Sequence, residues 1–109
     1  MKLNIKATGI DLTPALRAYI EEKIGSVAKF IKRWDDTGAV EARVEVARTT
    51  KHHHKGDVFY AEVNVHLPGK VVRAEGTDAD MRAAIDRVRD TLRREVEKYK
   101  ELMEQKREP

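Results

Sequence analysis

Apolar residues recur along this chain with period two in four short stretches and with helical spacing in two long ones. Leu3, Ile5 and Ala7 alternate with Lys2, Asn4 and Lys6. Val40, Ala42, Val44 and Val46 alternate with Glu41, Arg43 and Glu45. Phe59, Ala61, Val63, Val65 and Leu67 face one way, and Tyr60, Glu62, Asn64 and His66 the other. After the tight-turn pair Pro68-Gly69, Lys70–Glu75 returns as a hairpin strand with Val72 and Ala74 on the core side. Strands of this kind build a sheet with one side to be covered and one side in water. That single requirement excludes most ways of arranging the two helical stretches.

The first helical stretch starts at Thr13-Pro14, a hydroxyl cap followed by proline at the first helical position. Leu16, Ile20, Ile24, Val27, Ile31 and Trp34 form its stripe, and Asp35-Asp36-Thr37-Gly38 ends it. The second is capped by Thr77 or Asp78 and covers 79–104, with Met81, Ile85, Val88, Leu92, Val96, Tyr99 and Met103 on one stripe. At about 1.5 Å per residue it is about 39 Å long, so its last turns are expected to project past the sheet. Both helices need the one apolar sheet face. The expected fold is therefore α+β: a β-α-β-β-β-α two-layer sandwich, with a four-stranded mixed sheet and two helices packed side by side on one face. The connection through the first helix permits a parallel pair within an otherwise antiparallel sheet.

At 109 residues, of which 40% are apolar, the chain suits one domain, read as 1–104 with a frayed tail at 105–109. The absence of cysteine excludes disulfides, a thiol nucleophile and Cys-ligated zinc. The apolar runs are too short for a membrane helix, and the start Met1-Lys2-Leu3-Asn4 lacks a signal-peptide core. A soluble cytoplasmic protein is expected, with no membrane partner and no small-molecule substrate. Enzyme readings lack parts. The glycines are scattered singly, and Ser26, the only serine, has no adjacent histidine. His52-His53-His54 sits in an aperiodic stretch between Lys51 and Lys55, which reads as a polar loop and not a metal site. No metal or cofactor is expected. His66 is expected on the wet side of the sheet.

The charges say more than their small sum of +3. Residues 1–34 hold seven Lys/Arg against three Asp/Glu, whereas residues 78–109 hold nine of each. On a helical wheel Arg82, Arg89, Arg93 and Lys100 fall within about 40° of each other, along one border of the second apolar stripe. Arg87, Arg94 and Lys98 form another line, with Asp86, Asp90, Glu97, Glu101 and Glu104 mostly between. The first helix supplies Arg17, Lys23, Lys29, Lys32 and Arg33, of which Arg17 or Lys23 is expected to face that border across a groove. A basic groove suits a phosphate backbone. Interleaved Glu and Arg on a long helix is also how an ordinary surface helix stays solvated. Pattern alone leaves both readings open.

The run Asp80-Met81-Arg82-Ala83-Ala84-Ile85-Asp86, then Leu92-Arg93-Arg94, then Lys98-Tyr99-Lys100, resembles the last helix of the ribosome hibernation-promoting factors, also called the ribosome-subunit-interface family. The pattern there is roughly D-M-Y-x-A-I-D, K-L-x-R-Q and K-x-K. Leu3-Asn4-Ile5, Leu12-Thr13-Pro14-Ala15-Leu16-Arg17 and Lys23 are similar to the family's start, and the element order agrees. The chain departs from the pattern at Arg82, where the family usually has Tyr, at Thr91 for Lys and at Glu95 for Gln. The resemblance implies a non-enzymatic translation inhibitor of stress or stationary phase, a monomer off the ribosome. It implies binding to small-subunit rRNA in the tRNA/mRNA channel near the decoding centre. Arg17, Lys23, Arg94, Lys98 and Lys100 are the basic positions carried over, and Arg82, Arg89 and Arg93 are added from the wheel. Long forms of the family carry a further domain that pairs ribosomes, so the chain reads as a short form or as the N-terminal part of a long one. The alternatives are a general double-stranded-RNA-binding domain and a protein–protein adaptor working through the open sheet face.

Overall fold

The computed structural model describes residues 1–35, 40–49 and 58–107. The elements are β1 (Lys2–Thr8), α1 (Pro14–Gly25), β2 (Glu41–Arg48), β3 (Phe59–Leu67), β4 (Lys70–Asp78) and α2 (Met81–Arg107). Two 3-10 turns, Ser26–Phe30 and Lys32–Trp34, lie between α1 and β2. The sheet order is β1-β2-β3-β4. β1 runs parallel to β2, with Ile5 opposite Val44. The other pairs are antiparallel, Val44 opposite Val63 and Val63 opposite Ala74. Because these partners all point to one side, a single apolar face forms, as the period-two pattern requires.

Both helical segments cover that face. Ile20, Ile24, Val27 and Ile31 from the first segment meet Val44, Val63, Val65 and Val72 from the sheet and Ile85, Val88, Leu92 and Val96 from α2, all buried. Tyr99 is also buried, and its hydroxyl donates to the Pro68 carbonyl at 2.7 Å. It meets Trp34 edge to face at 5.2 Å, so α2 is fixed at once to the β3–β4 turn and to the end of the first helical segment. That turn needs Gly69, whose φ of 76° follows Pro68 in the type II pattern. Among the described residues no buried side chain is polar or charged apart from the tyrosine.

Four boundaries differ from the expectation. The first helix ends at Gly25 and not near Trp34. Gly25 has low helix propensity, and the Ser26 hydroxyl donates to the Lys23 carbonyl at 2.6 Å, so the chain tightens into 3-10 turns. β4 runs on to Asp78, past the expected Glu75. Thr77 and Asp78 therefore belong to the strand; Asp78 Oδ1 accepts the Asp80 N–H at 3.1 Å and turns the chain into α2. α2 begins at Met81 and continues to Arg107, so residues 105–107, expected in a frayed tail, are helical: Gln, Lys and Arg are good helix formers and basic residues suit a helix C-terminus. At about 40 Å α2 outreaches the nine-residue β4, and Glu104, Gln105 and Lys106 are exposed, as expected of a projecting end. The cap of α1 is as read, with Thr13 Oγ accepting the Leu16 N–H at 3.1 Å. The His52–His54 stretch lies outside the described residues.

Candidate nucleic-acid interface

α1 and the Ser26–Phe30 turn run beside α2, and two aromatic rings from the first segment stand in the seam between them. Tyr19 lies off the apolar stripe of α1, so its half-buried ring leans toward α2. Its hydroxyl donates to Asp86 Oδ1 at 2.6 Å, and that bond, more than burial, raises its pKa. The Arg82 guanidinium lies 4.9 Å from the ring centroid and the Lys23 ammonium 5.4 Å. One cation from each helix thus shares the Tyr19 ring.

Phe30 repeats the arrangement farther along. Arg93 lies 4.9 Å from its centroid, Lys29 5.2 Å and Lys100 5.8 Å. Between the two rings stands Arg89, whose side chain is 30% exposed and pairs with Asp90 at 3.0 Å. Arg93 pairs with Glu97 at 3.3 Å, both side chains being about half exposed. Exposed pairs of this kind contribute roughly 0–1 kcal/mol. Contacts between a cation and an exposed ring contribute about 0.5–1 kcal/mol and leave the charge unneutralised. The rings therefore order five cations without cancelling their charge, while Arg89 and Arg93 also have carboxylate partners in weak, partly exposed pairs. A cavity of about 280 Å³ opens between Phe30 and Arg89.

The line read from the wheel, Arg82–Arg89–Arg93–Lys100, is the α2 wall of this groove. Of the two candidates on the first helix, Lys23 reaches it and Arg17 does not. Arg17 is exposed and shares its flank of α1 with Glu21 four residues on, which borders a depression with Met1 and Leu3 on the β1 side. Six residues turn a helix by about 240°, so Arg17 and Lys23 cannot both face α2. Arg94 and Lys98 lie on the other basic line. Arg94 Nη2 donates to Thr91 Oγ1 at 3.3 Å, and Lys98 pairs with Glu95 at 3.2 Å. Arg87, on the same line, pairs with Asp78 at the end of β4, at 2.9 Å. The Asp78 carboxyl is held below its ordinary pKa by the Asp80 N–H first, against burial, and then by Arg87. Arg94 still borders a shallow depression with Arg93 and Glu97, which links the two lines.

Sequence reading missed Tyr19 and Phe30. The available signal was that each aromatic lies off the apolar stripe and near a lysine, Tyr19 four residues before Lys23 and Phe30 next to Lys29. The opposite face of the molecule has a different make-up. On the open side of the sheet Arg73 pairs with Glu62 at 2.7 Å and Glu75 at 3.0 Å, and the Tyr60 hydroxyl donates to Glu75 at 2.7 Å. Burial first, then that bond, raises the Tyr60 pKa strongly. His66 is exposed there, as expected. Among the described residues no group of His, Asp and Glu is placed to hold a metal ion, and no helix is long and apolar enough to cross a membrane.

Comparison with known proteins follows the same line. Residues 3–104 match the family model described as "Sigma 54 modulation protein / S30EA ribosomal protein". The chain is 38% identical over 108 residues to the ribosome hibernation promotion factor of Lactococcus lactis, covering 97% of this chain and 53% of the relative. It is 30% identical over 105 residues to the ribosome hibernation promoting factor of Klebsiella oxytoca, covering 96% of this chain and 99% of the relative. It thus spans about half the length of the Lactococcus protein and nearly all of the Klebsiella one. The N-terminal domain of Thermus thermophilus Protein Y superposes with a TM-score of 0.70 at 33% identity, covering 91% of this chain and 99% of that one. A ribosomal subunit interface protein from Coxiella burnetii shares the fold at a TM-score of 0.72 and 22% identity, over 93% and 99% of the two chains. With its β-α-β-β-β-α order and a family match over nearly its whole length, this chain belongs to the Sigma 54 modulation protein / S30EA ribosomal protein family.

Proposed function

We propose that residues 1–104 are a ribosome-binding domain that docks on rRNA of the small subunit through the α1–α2 groove. It fills the channel used by tRNA and mRNA near the decoding centre, and so silences translation in the cytoplasm under stress or in stationary phase. It does so by occupancy, without catalysis, and as a monomer off the ribosome. The observation that carries this reading is the groove itself, where Lys23, Lys29, Arg82, Arg93 and Lys100 are held beside aromatic rings and Arg89, paired with Asp90, lines the recess beside Phe30. The family match and the names of the Lactococcus and Klebsiella relatives support the choice of the ribosome as the source of RNA. An rRNA channel is walled with phosphates, and a compact wedge with a basic seam complements it in shape and charge. Arg82, Arg89, Arg93, Lys100 and Lys23 form the inner contact set, and Arg17, Arg94 and Lys98 the outer one.

The test is co-sedimentation with purified small subunits at two salt concentrations. Five or so neutralised phosphates imply a loss of about two orders of magnitude in affinity between about 50 and about 200 mM salt. Salt-independent binding overturns the electrostatic docking. Equal affinity for a plain RNA duplex points instead to a general double-stranded-RNA binder.

A further inference from the structure

The groove changes character where α1 gives way to the 3-10 turn. There the cavity of about 280 Å³ opens, with Val27 at its base, the Phe30 ring as one wall, and Lys29, Arg89 and Arg93 converging on it. Asp90, the carboxylate that borders it, is engaged by Arg89 at 3.0 Å. An apolar base, a half-buried aromatic ring and three cations within one recess match the parts of a nucleotide: a flat base with a π face, and a phosphate. Resting on the reading that this groove binds RNA, we propose that the recess is a pocket for one unpaired RNA nucleotide, its base on Phe30 and its phosphate between Lys29, Arg89 and Arg93.

Three features favour this occupant. Phe30 has no polar group of its own, so its ring serves any base, unlike Tyr19, whose hydroxyl is tied to Asp86. Arg93 now lies over the ring and pairs with the exposed Glu97, a contact cheap to exchange, so a base can take the ring while the guanidinium takes the phosphate. A base inside a duplex has both faces stacked already, so a ring of this kind selects unpaired nucleotides.

Fluorescence anisotropy of the full chain at low salt tests the pocket with three labelled probes of equal phosphate number: a single-stranded oligouridylate, its abasic counterpart and an RNA hairpin duplex. The single strand is expected to bind about tenfold more tightly than either of the others. Phe30→Leu, which keeps an apolar contact and whose folding is checked by thermal melting, is expected to abolish the tenfold preference for the single strand over the abasic strand. Equal binding of the three probes, or a single strand indifferent to Phe30→Leu, overturns the pocket, and so does the absence of any binding by the single strand. If small subunits still co-sediment in an Arg89-dependent manner in those cases, the pocket has failed and the groove's role in ribosome binding stands. If Arg89→Glu leaves co-sedimentation unchanged, that role has failed as well.

Discussion

The seam between the helices and the open face of the sheet carry similar residues, arginines and carboxylates with a few aromatics, and they differ in what each cation touches. On the sheet, Arg73 lies between two carboxylates, Arg43 pairs with Glu41 at 3.2 Å, and Asn4 donates to the same Glu41 at 2.7 Å. On a flat face, residues two apart on one strand and diagonal neighbours on the next stand close enough to satisfy one another. In the seam, Arg82, Arg93 and Lys100 lean on rings that come from the other helical segment. A ring orders a cation without cancelling it. The sheet cations are thus ordered chiefly by carboxylates. The seam adds ring contacts to two exposed pairs, Arg89–Asp90 and Arg93–Glu97, and keeps Lys23, Lys29, Arg82 and Lys100 on rings, which makes the seam the surface better suited to a polyanion.

Reversing charge in the seam carries the largest expected effect. Arg89→Glu with Arg93→Glu replaces two positive charges by two negative ones at the centre of the groove, and small-subunit co-sedimentation is expected to weaken by about 100-fold or more at low salt. The same reversal on the outer line, Arg94→Glu with Lys98→Glu, is expected to cost about tenfold in that assay, because those charges act from the flank and are partly screened over about 10 Å. An outer-line loss as large as the central one would move the binding face toward β4. Tyr19→Phe removes the one hydrogen bond described across the seam and is expected to lower stability by about 1 kcal/mol, read as a denaturant midpoint.

Acid acts on the other side of the comparison. Glu41 is held below its ordinary pKa by Arg43, and Glu75 by the Tyr60 hydroxyl and Arg73. A carboxyl with a depressed folded-state pKa contributes stability above its unfolded value, and that contribution is lost as pH falls through the folded one. The melting temperature is therefore expected to drop as pH falls below about 4, with a shallower drop in Glu75→Gln. Identical pH profiles for the two proteins would remove the sheet network from the account. Smallest of all, Lys6→Glu with Arg43→Glu on the sheet face is expected to leave co-sedimentation within about twofold.

How much of this was legible in the residues depends on which distances were involved. Connection length permitted a parallel pair, and the structure supplied β2 as the partner of β1. The strands and their shared apolar face follow from period, a local property. The α2 wall of the groove was legible for the same reason: Arg82, Arg89, Arg93 and Lys100 share one helix, and a helix has a fixed angle per residue. What lay across the seam was not. Tyr19 meets Asp86 across 67 positions of sequence, and Phe30 meets Arg93, which lies on the other helical segment. A wheel carried on through Trp34 puts Phe30 within about 20° of Tyr19, and it says nothing of which α2 residues stand opposite either ring.

The sequence by itself determined a one-faced mixed sheet under two helices and put a basic line on one border of the last helix, since hydrophobic periodicity and helical geometry act within each element. Only the tertiary structure decided which charges meet. It set Lys23 in the groove and Arg17 outside it, stood Tyr19 and Phe30 among the cations, and opened the recess beside Phe30. Those outcomes rest on the packing of one helical segment against another, where a shift of one helical turn changes every partner.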